Sequence, residues 1–146
     1  IPMKHGFMYL TAIIDVYSRY IVGWGVSNTL ETAASLKVLQ HAIQCHGRPE
    51  IINSDQGSQF TCNDWVAYLK KEGIKISMDG KGRAIDNIFI ERFWRTLKYD
   101  YIYMNPANDG LELYEGIKHY IDYYNHSLCH QGIGRKKPTE LYQSAA

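Results

Sequence analysis

The run at residues 7–14 (FMYLTAII) most constrains what this chain can fold into. Its apolar residues fall on both alternating faces, the pattern of a strand covered on each side, so the rest of the chain must supply packing layers above and below a sheet. Asp15 closes the run, Tyr17-Ser18-Arg19 makes a tight turn, and residues 20–26 (YIVGWGV) read as its hairpin partner. Upstream, Ile1-Pro2-Met3 reads as the tail of another strand and Lys4-His5-Gly6 as a turn, giving three sequential antiparallel strands. The expectation is one domain over residues 1–146, cut within its first strand.

Beyond Val26 the periodicity changes. Asn28 with Glu31 has capping-box form and leads into Leu36, Leu39 and Ile43 at helical spacing, a helix ended by Gly47-Arg48-Pro49. Residues 50–53 form a short buried strand, with Ser54-Asp55-Gln56-Gly57 as the loop at its carboxyl end. Thr61 with Asp64 caps a helix that turns Trp65, Val66 and Leu69 inward and stops at Gly73. Ile74, Ile76 and Met78 alternate as a fifth strand, followed by a charged glycine loop at 79–83. A helix over 85–101 carries Ile90, Trp94, Leu97 and Tyr101 on one stripe and Asn87, Glu91, Arg95 and Lys98 on another. A last long helix uses Leu113, Ile117, Tyr120, Ile121 and Tyr124, its aromatic stripe being core packing or a subunit contact, with base stacking as the sharper alternative. A basic, histidine-bearing segment at 126–137 precedes Pro138. The expected architecture is α/β, a five-stranded mixed sheet flanked by helices.

Several function classes drop out. Sixteen Lys and Arg against fifteen Asp and Glu leave a net charge of +1, so any nucleic-acid partner must be held by local patches. No apolar run approaches the roughly 18 residues of a membrane span and no signal peptide opens the chain, which points to the cytoplasm. Three cysteines without a Cys-x-x-Cys pair fit a reducing compartment. Gly-x-Ser-x-Gly, P-loop and Gly-x-Gly-x-x-Gly signatures are absent from the sequence, so acyl hydrolases and nucleotide-fold enzymes lose support. The clusters His41, Cys45, His46 and His126, Cys129, His130 each fall short of the four convergent ligands a structural zinc needs.

Two carboxylates stand out by position. Asp55 lies just beyond a buried strand, where open α/β sheets place ligands, and Glu91 shares a helical face with Arg95 and Lys98. Thirty-five residues separate them, but with fifteen acids in 146 residues about one such pair arises by chance, so spacing alone decides little. An acid followed by two bases on one face suits a metal at one end and phosphates along the rest; it equally suits a solvated helix face with a Glu-Arg pair.

From Phe7 onward the sequence resembles the catalytic cores of insertion-sequence transposases related to retroviral integrases. The phrases that carry the likeness are YLTAIIDVYSR at 9–19, SDQGSQF at 54–60, DNIFIERFWRTLK at 86–98, and Tyr124-Asn125 onward to Pro138. The resemblance implies a ribonuclease-H-like fold and an Asp, Asp, Glu triad binding two Mg²⁺ ions, with Mn²⁺ as a substitute. Asp55 and Glu91 fall on the second and third acids. The first acid would lie upstream of Ile1, so a chain lacking it is expected to bind Mg²⁺ poorly and to be inactive. Asp15 matches the acid before the Tyr-Ser-Arg turn, where a local turn or a salt bridge with Arg19 competes with any metal role. Leu128-Cys129 stands where the family more often has Arg-Pro.

The implied activity is Mg²⁺-dependent cleavage at element ends followed by strand transfer into target DNA. Arg95, Lys98, Lys81, Arg83 and Gln56 are the candidate DNA contacts, and Asn87 an orienting group for Glu91. A homo-oligomer on DNA in the bacterial cytoplasm, at the nucleoid, follows from the same likeness, with a helix-turn-helix recognition domain elsewhere. A metal-dependent nuclease of the same fold and a non-catalytic DNA-binding or assembly module are the alternatives.

Overall fold

The computed structural model describes residues 1–78 and 87–144. The apolar run becomes β1 (Tyr9–Ile14), paired antiparallel with β2 (Ile21–Ser27) from Tyr9 opposite Ser27 to Ile14 opposite Ile21, with an irregularity between Ile13 and Ile14. Asp15 builds the turn between them: its Oδ2 accepts from the Ser18 backbone N–H at 2.9 Å and from the Ser18 hydroxyl at 2.6 Å. The Ser18 hydroxyl accepts in turn from Tyr20 N–H, so this fully buried serine is satisfied. Asp15 therefore has the local turn role, and the Arg19 guanidinium lies instead over the Phe89 ring.

β2 carries glycine at positions 23 and 25 because α1 (Thr32–His46) rests on its backbone. A Cβ on Gly23 would meet Ala42 Cβ at 2.9 Å, and one on Gly25 would meet Val38 Cγ2 at 2.7 Å. The capping box expected at Asn28 and Glu31 does not form. The Ser27 hydroxyl accepts from Thr29 N–H, which prolongs the non-helical segment, and the helix starts at Thr32 without a side-chain cap.

β3 (Ile51–Ser54) and β4 (Lys75–Met78) pair in parallel, Ile51 opposite Lys75 through Ser54 opposite Met78. The crossover that parallel pairing requires is supplied by α2 (Ser58–Thr61) and α3 (Asn63–Lys71). Thr61 does not cap α3, because it ends α2 and its hydroxyl donates to Ser58 C=O.

Both strand directions expected of a mixed sheet are present, but in place of one five-stranded sheet the described residues form two two-stranded ones, β1–β2 antiparallel and β3–β4 parallel. Ile1–Met3 supplies a single bridge, Pro2 to Phe7, since proline has no N–H to extend a ladder and Met3 N–H turns back to Gly6 C=O.

α4 (Ile88–Leu97) runs into a π-helical turn, Lys98–Ile102, in which Tyr103 N–H reaches Lys98 C=O. α5 (Gly110–His126) opens on a reciprocal cap: Asp109 Oδ1 accepts from Glu112 N–H, and the Glu112 carboxylate accepts from the Asn108 backbone and side-chain N–H groups. A 3₁₀ turn at Gln131–Ile133 leads to α6 (Pro138–Ser144). No helix among the described residues is long and apolar enough to cross a membrane.

β1 is covered on both faces. Leu10, Ala12 and Ile14 pack with Ile21, Phe93, Leu97, Ile117 and Ile121, whereas Ile13 joins Leu39, Trp65, Leu69 and Ile74. The fully buried ones among them, Phe93, Leu97, Ile117 and Leu69, contribute about 1.5–3 kcal/mol each. Buried Asn125 locks α5 to the sheet: its Oδ1 accepts from Ile21 N–H at 2.8 Å and its Nδ2 donates to Ile21 C=O at 3.1 Å.

Candidate active-site face

Asp55 leaves the carboxyl end of β3 on an exposed turn, and its Oδ1 accepts from Gly57 N–H at 2.8 Å. This Asx-type bond fixes the carboxylate against its own backbone. A Cβ at position 57 would lie 2.8 Å from the same oxygen, so a larger residue there would displace the carboxylate from this position. Directly before it, Ser54 is buried and its hydroxyl has no hydrogen-bond partner among the described residues. Gln56 is exposed beside Asp55.

Glu91 stands in the first turn of α4, on the side opposite buried Phe93 and Leu97. An acid there is favoured by the helix dipole. The strongly two-sided sequence of α4 buries one face in the core and turns the other outward, and that outward face forms a shallow groove of about 320 Å³ lined by Glu91, Trp94, Arg95, Lys98, Tyr99 and Tyr103. The structure thus brings Glu91, Arg95 and Lys98 together, as their spacing predicts. Asn87 is the residue immediately before α4, one turn ahead of Glu91. Lys81 and Arg83 lie outside the described residues.

Asp55 and Glu91 belong to different packing units, Asp55 following the strand whose Ile52 packs with Leu39 and Trp65, Glu91 riding on the helix that carries Phe93 and Leu97. Among the described residues no three His, Cys, Asp or Glu side chains are grouped to share a metal ion.

Sequence reasoning missed Tyr99 and Tyr103. Their rings lie 5.4 Å apart edge to face, and the Arg95 guanidinium sits 5.8 Å from the Tyr99 ring. The signal is a row of four-residue steps, 91, 95, 99 and 103, that runs on past Lys98. Tyr120 and Tyr124, by contrast, are buried in the core. Burial pushes the Tyr124 hydroxyl up to about 12, with the Arg19 charge opposing, and raises Tyr120 as well.

The fold is that of retroviral integrase catalytic cores, within the ribonuclease-H-like class. A chain of the simian T-cell lymphotropic virus intasome in complex with PP2A regulatory subunit B56 gamma matches 97% of this chain and 50% of its own at a TM-score of 0.81 and 19% identity. The HTLV-2 integrase catalytic core domain in complex with magnesium matches 97% of this chain and 89% of its own at a TM-score of 0.74 and 18% identity. The chain belongs to the integrase core domain family, whose models match residues 1–84 and 72–138. Among curated relatives, the transposase for insertion sequence element IS904 of Lactococcus lactis subsp. lactis (strain IL1403) is 36% identical over 144 residues, 97% of this chain. The chain spans 57% of that relative's length.

Proposed function

We propose that this domain catalyses phosphodiester cleavage at the ends of an insertion sequence and transfer of the freed strand into target DNA. The observation that carries the reading is the single groove in which α4 sets the Glu91 carboxylate beside Arg95 and Lys98. Both candidate acids are exposed carboxylates, hard oxygen donors of the kind Mg²⁺ takes. A bound pair of Mg²⁺ or Mn²⁺ ions supplies activation of the attacking oxygen and stabilisation of the leaving one. Asp55, fixed by Gly57 N–H, and Glu91 would hold the ions together with an aspartate from an upstream segment of the protein. Arg95 and Lys98 neutralise the phosphates that flank the scissile one, fixing register without reading bases. Asn87 orients Glu91 from the preceding turn, and Gln56 contacts the strand backbone beside Asp55. The active form is a homo-oligomer on DNA, with end recognition supplied by a separate helix-turn-helix.

The test is a Mg²⁺-dependent cleavage and joining assay on element-end DNA with protein extended upstream through the expected aspartate, beside Asp55→Asn and Glu91→Gln. Joined product lost in both variants supports the reading. Cleavage without joining would favour a nuclease, and activity surviving either substitution would show that other acids do the work.

A further inference from the structure

Two large aromatic side chains beside the candidate acid serve neither core. Tyr99 is 64% exposed and Tyr103 54%, with Met104 at 67% continuing the patch. Single exposed aromatics are ordinary, but two rings in edge contact at the end of a cationic groove form a surface with its own chemistry. The π-helical turn shapes it. By adding a residue to the turn it directs Ile102 into the core, where it is 2% exposed, and sets the Tyr101 hydroxyl against the backbone of α5 at Gly116, while Tyr99 and Tyr103 stay together on the outer face. π turns within helices occur often at functional sites.

We propose that Tyr99 and Tyr103 form a stacking platform for an unpaired base of the DNA strand whose phosphates Arg95 and Lys98 hold, immediately beside Glu91. The inference rests on the transposase reading and extends it from backbone contact to the state of the DNA, a strand end drawn out of the duplex. Three observations favour a single strand over other occupants. Stacking on Tyr99 or Tyr103 needs an open base face, which an unpaired base offers and a base inside a duplex does not. Arg95 and Lys98 complement a phosphodiester and not an apolar peptide. The platform is continuous with the carboxylate proposed to serve the chemistry, and an aromatic face accepts any base without reading it.

The experiment compares the full chain with its Tyr99→Ala, Tyr103→Ala, Tyr99→Phe and Tyr103→Phe variants on two probes: a blunt duplex and the same duplex carrying a short single-stranded tail with 5-iodouracil. The expected result is photocrosslinking of the tail to Tyr99 or Tyr103. The alanine variants should lose about fivefold or more in affinity for the tailed probe only, and the phenylalanine variants should keep it, because stacking needs the ring and not the hydroxyl. Unchanged tailed-probe affinity in both alanine variants, with wild-type binding intact, would overturn the platform and leave the transposase reading standing. Equal losses on both probes would also overturn it, as would lost self-association with DNA binding unchanged, which would assign the rings to a protein contact. A wild-type chain that binds neither probe would overturn the platform, and the cleavage and joining assay decides the transposase reading separately.

Discussion

The guanidinium carbon of Arg19 lies 3.8 Å from the centroid of the Phe89 ring, two residues before Glu91. This contact ties the β1–β2 turn to the first turn of α4. Arg19 also adopts a left-handed backbone with φ of 66°. Arg19→Ala keeps that backbone and loses the contact, so it should cost about 0.5–1 kcal/mol. Arg19→Gly loses the contact but relieves roughly 1 kcal/mol of backbone strain, and should come out near neutral. Urea unfolding of the two variants separates the contributions; equal destabilisation would show that the stacking alone matters.

Asn125 presents a different kind of link, one side chain pairing both backbone groups of Ile21 in a buried setting. Asn125→Leu fills the space but strands an N–H and a C=O, and should lower stability by about 3 kcal/mol. A loss below about 0.5 kcal/mol in urea unfolding would mean that water reaches the strand end.

Gly23→Ala should destabilise by about 1–3 kcal/mol, because the added Cβ meets Ala42 on a rigid helix. Gly132→Ala is the matched control: nothing lies within 4 Å of its added atom, and its effect should stay within about 0.5 kcal/mol. Thermal unfolding of the pair checks both.

Tyr124 makes stability depend on alkaline pH. Its folded-state value is pushed up to about 12 from an ordinary 10.0, so the folded protein holds a proton that the unfolded chain releases first. Its contribution is complete below about pH 10 and falls as pH rises from there through about 12. Urea midpoints measured between pH 9 and about 12 should decline, and Tyr124→Phe should flatten the decline in part, with buried Tyr120 supplying the remainder.

Arg95→Ala and Lys98→Ala should each weaken DNA binding and reduce the slope of log affinity against log salt by about 1, uniformly across sequences. A sequence-dependent loss would mean that these groups touch bases.

The strand and helix order was legible because burial wrote it twice over: Leu10, Ala12 and Ile14 against Ile13 on β1, Phe93 and Leu97 on α4, Leu113 to Tyr124 on α5. Local end signals fared worse. Asn28, Glu31 and Thr61 all have the composition of caps, yet Ser27 and Ser58 offered nearer partners and took the chain another way. The cap that does form, Asp109 with Glu112, has the same composition. Pro2 shows why a strand tail shrank to one bridge. At the candidate site, Glu91, Arg95 and Lys98 could be aligned by counting along a helix, whereas the exposed pair Tyr99 and Tyr103 depended on a widened turn that residue counting does not register.

β1 contains neither candidate acid, yet its residues pack against both of the layers that carry them. Asp55 is anchored to the layer that Ile13 touches, Glu91 to the layer that Leu10, Ala12 and Ile14 touch, and the irregularity between Ile13 and Ile14 lies where the two meet. The strand therefore joins the two layers. A volume change at Ile13 or Ala12 would shift one layer against the other without touching either carboxylate, so the spacing that the proposed chemistry needs has an address in the interior of the domain.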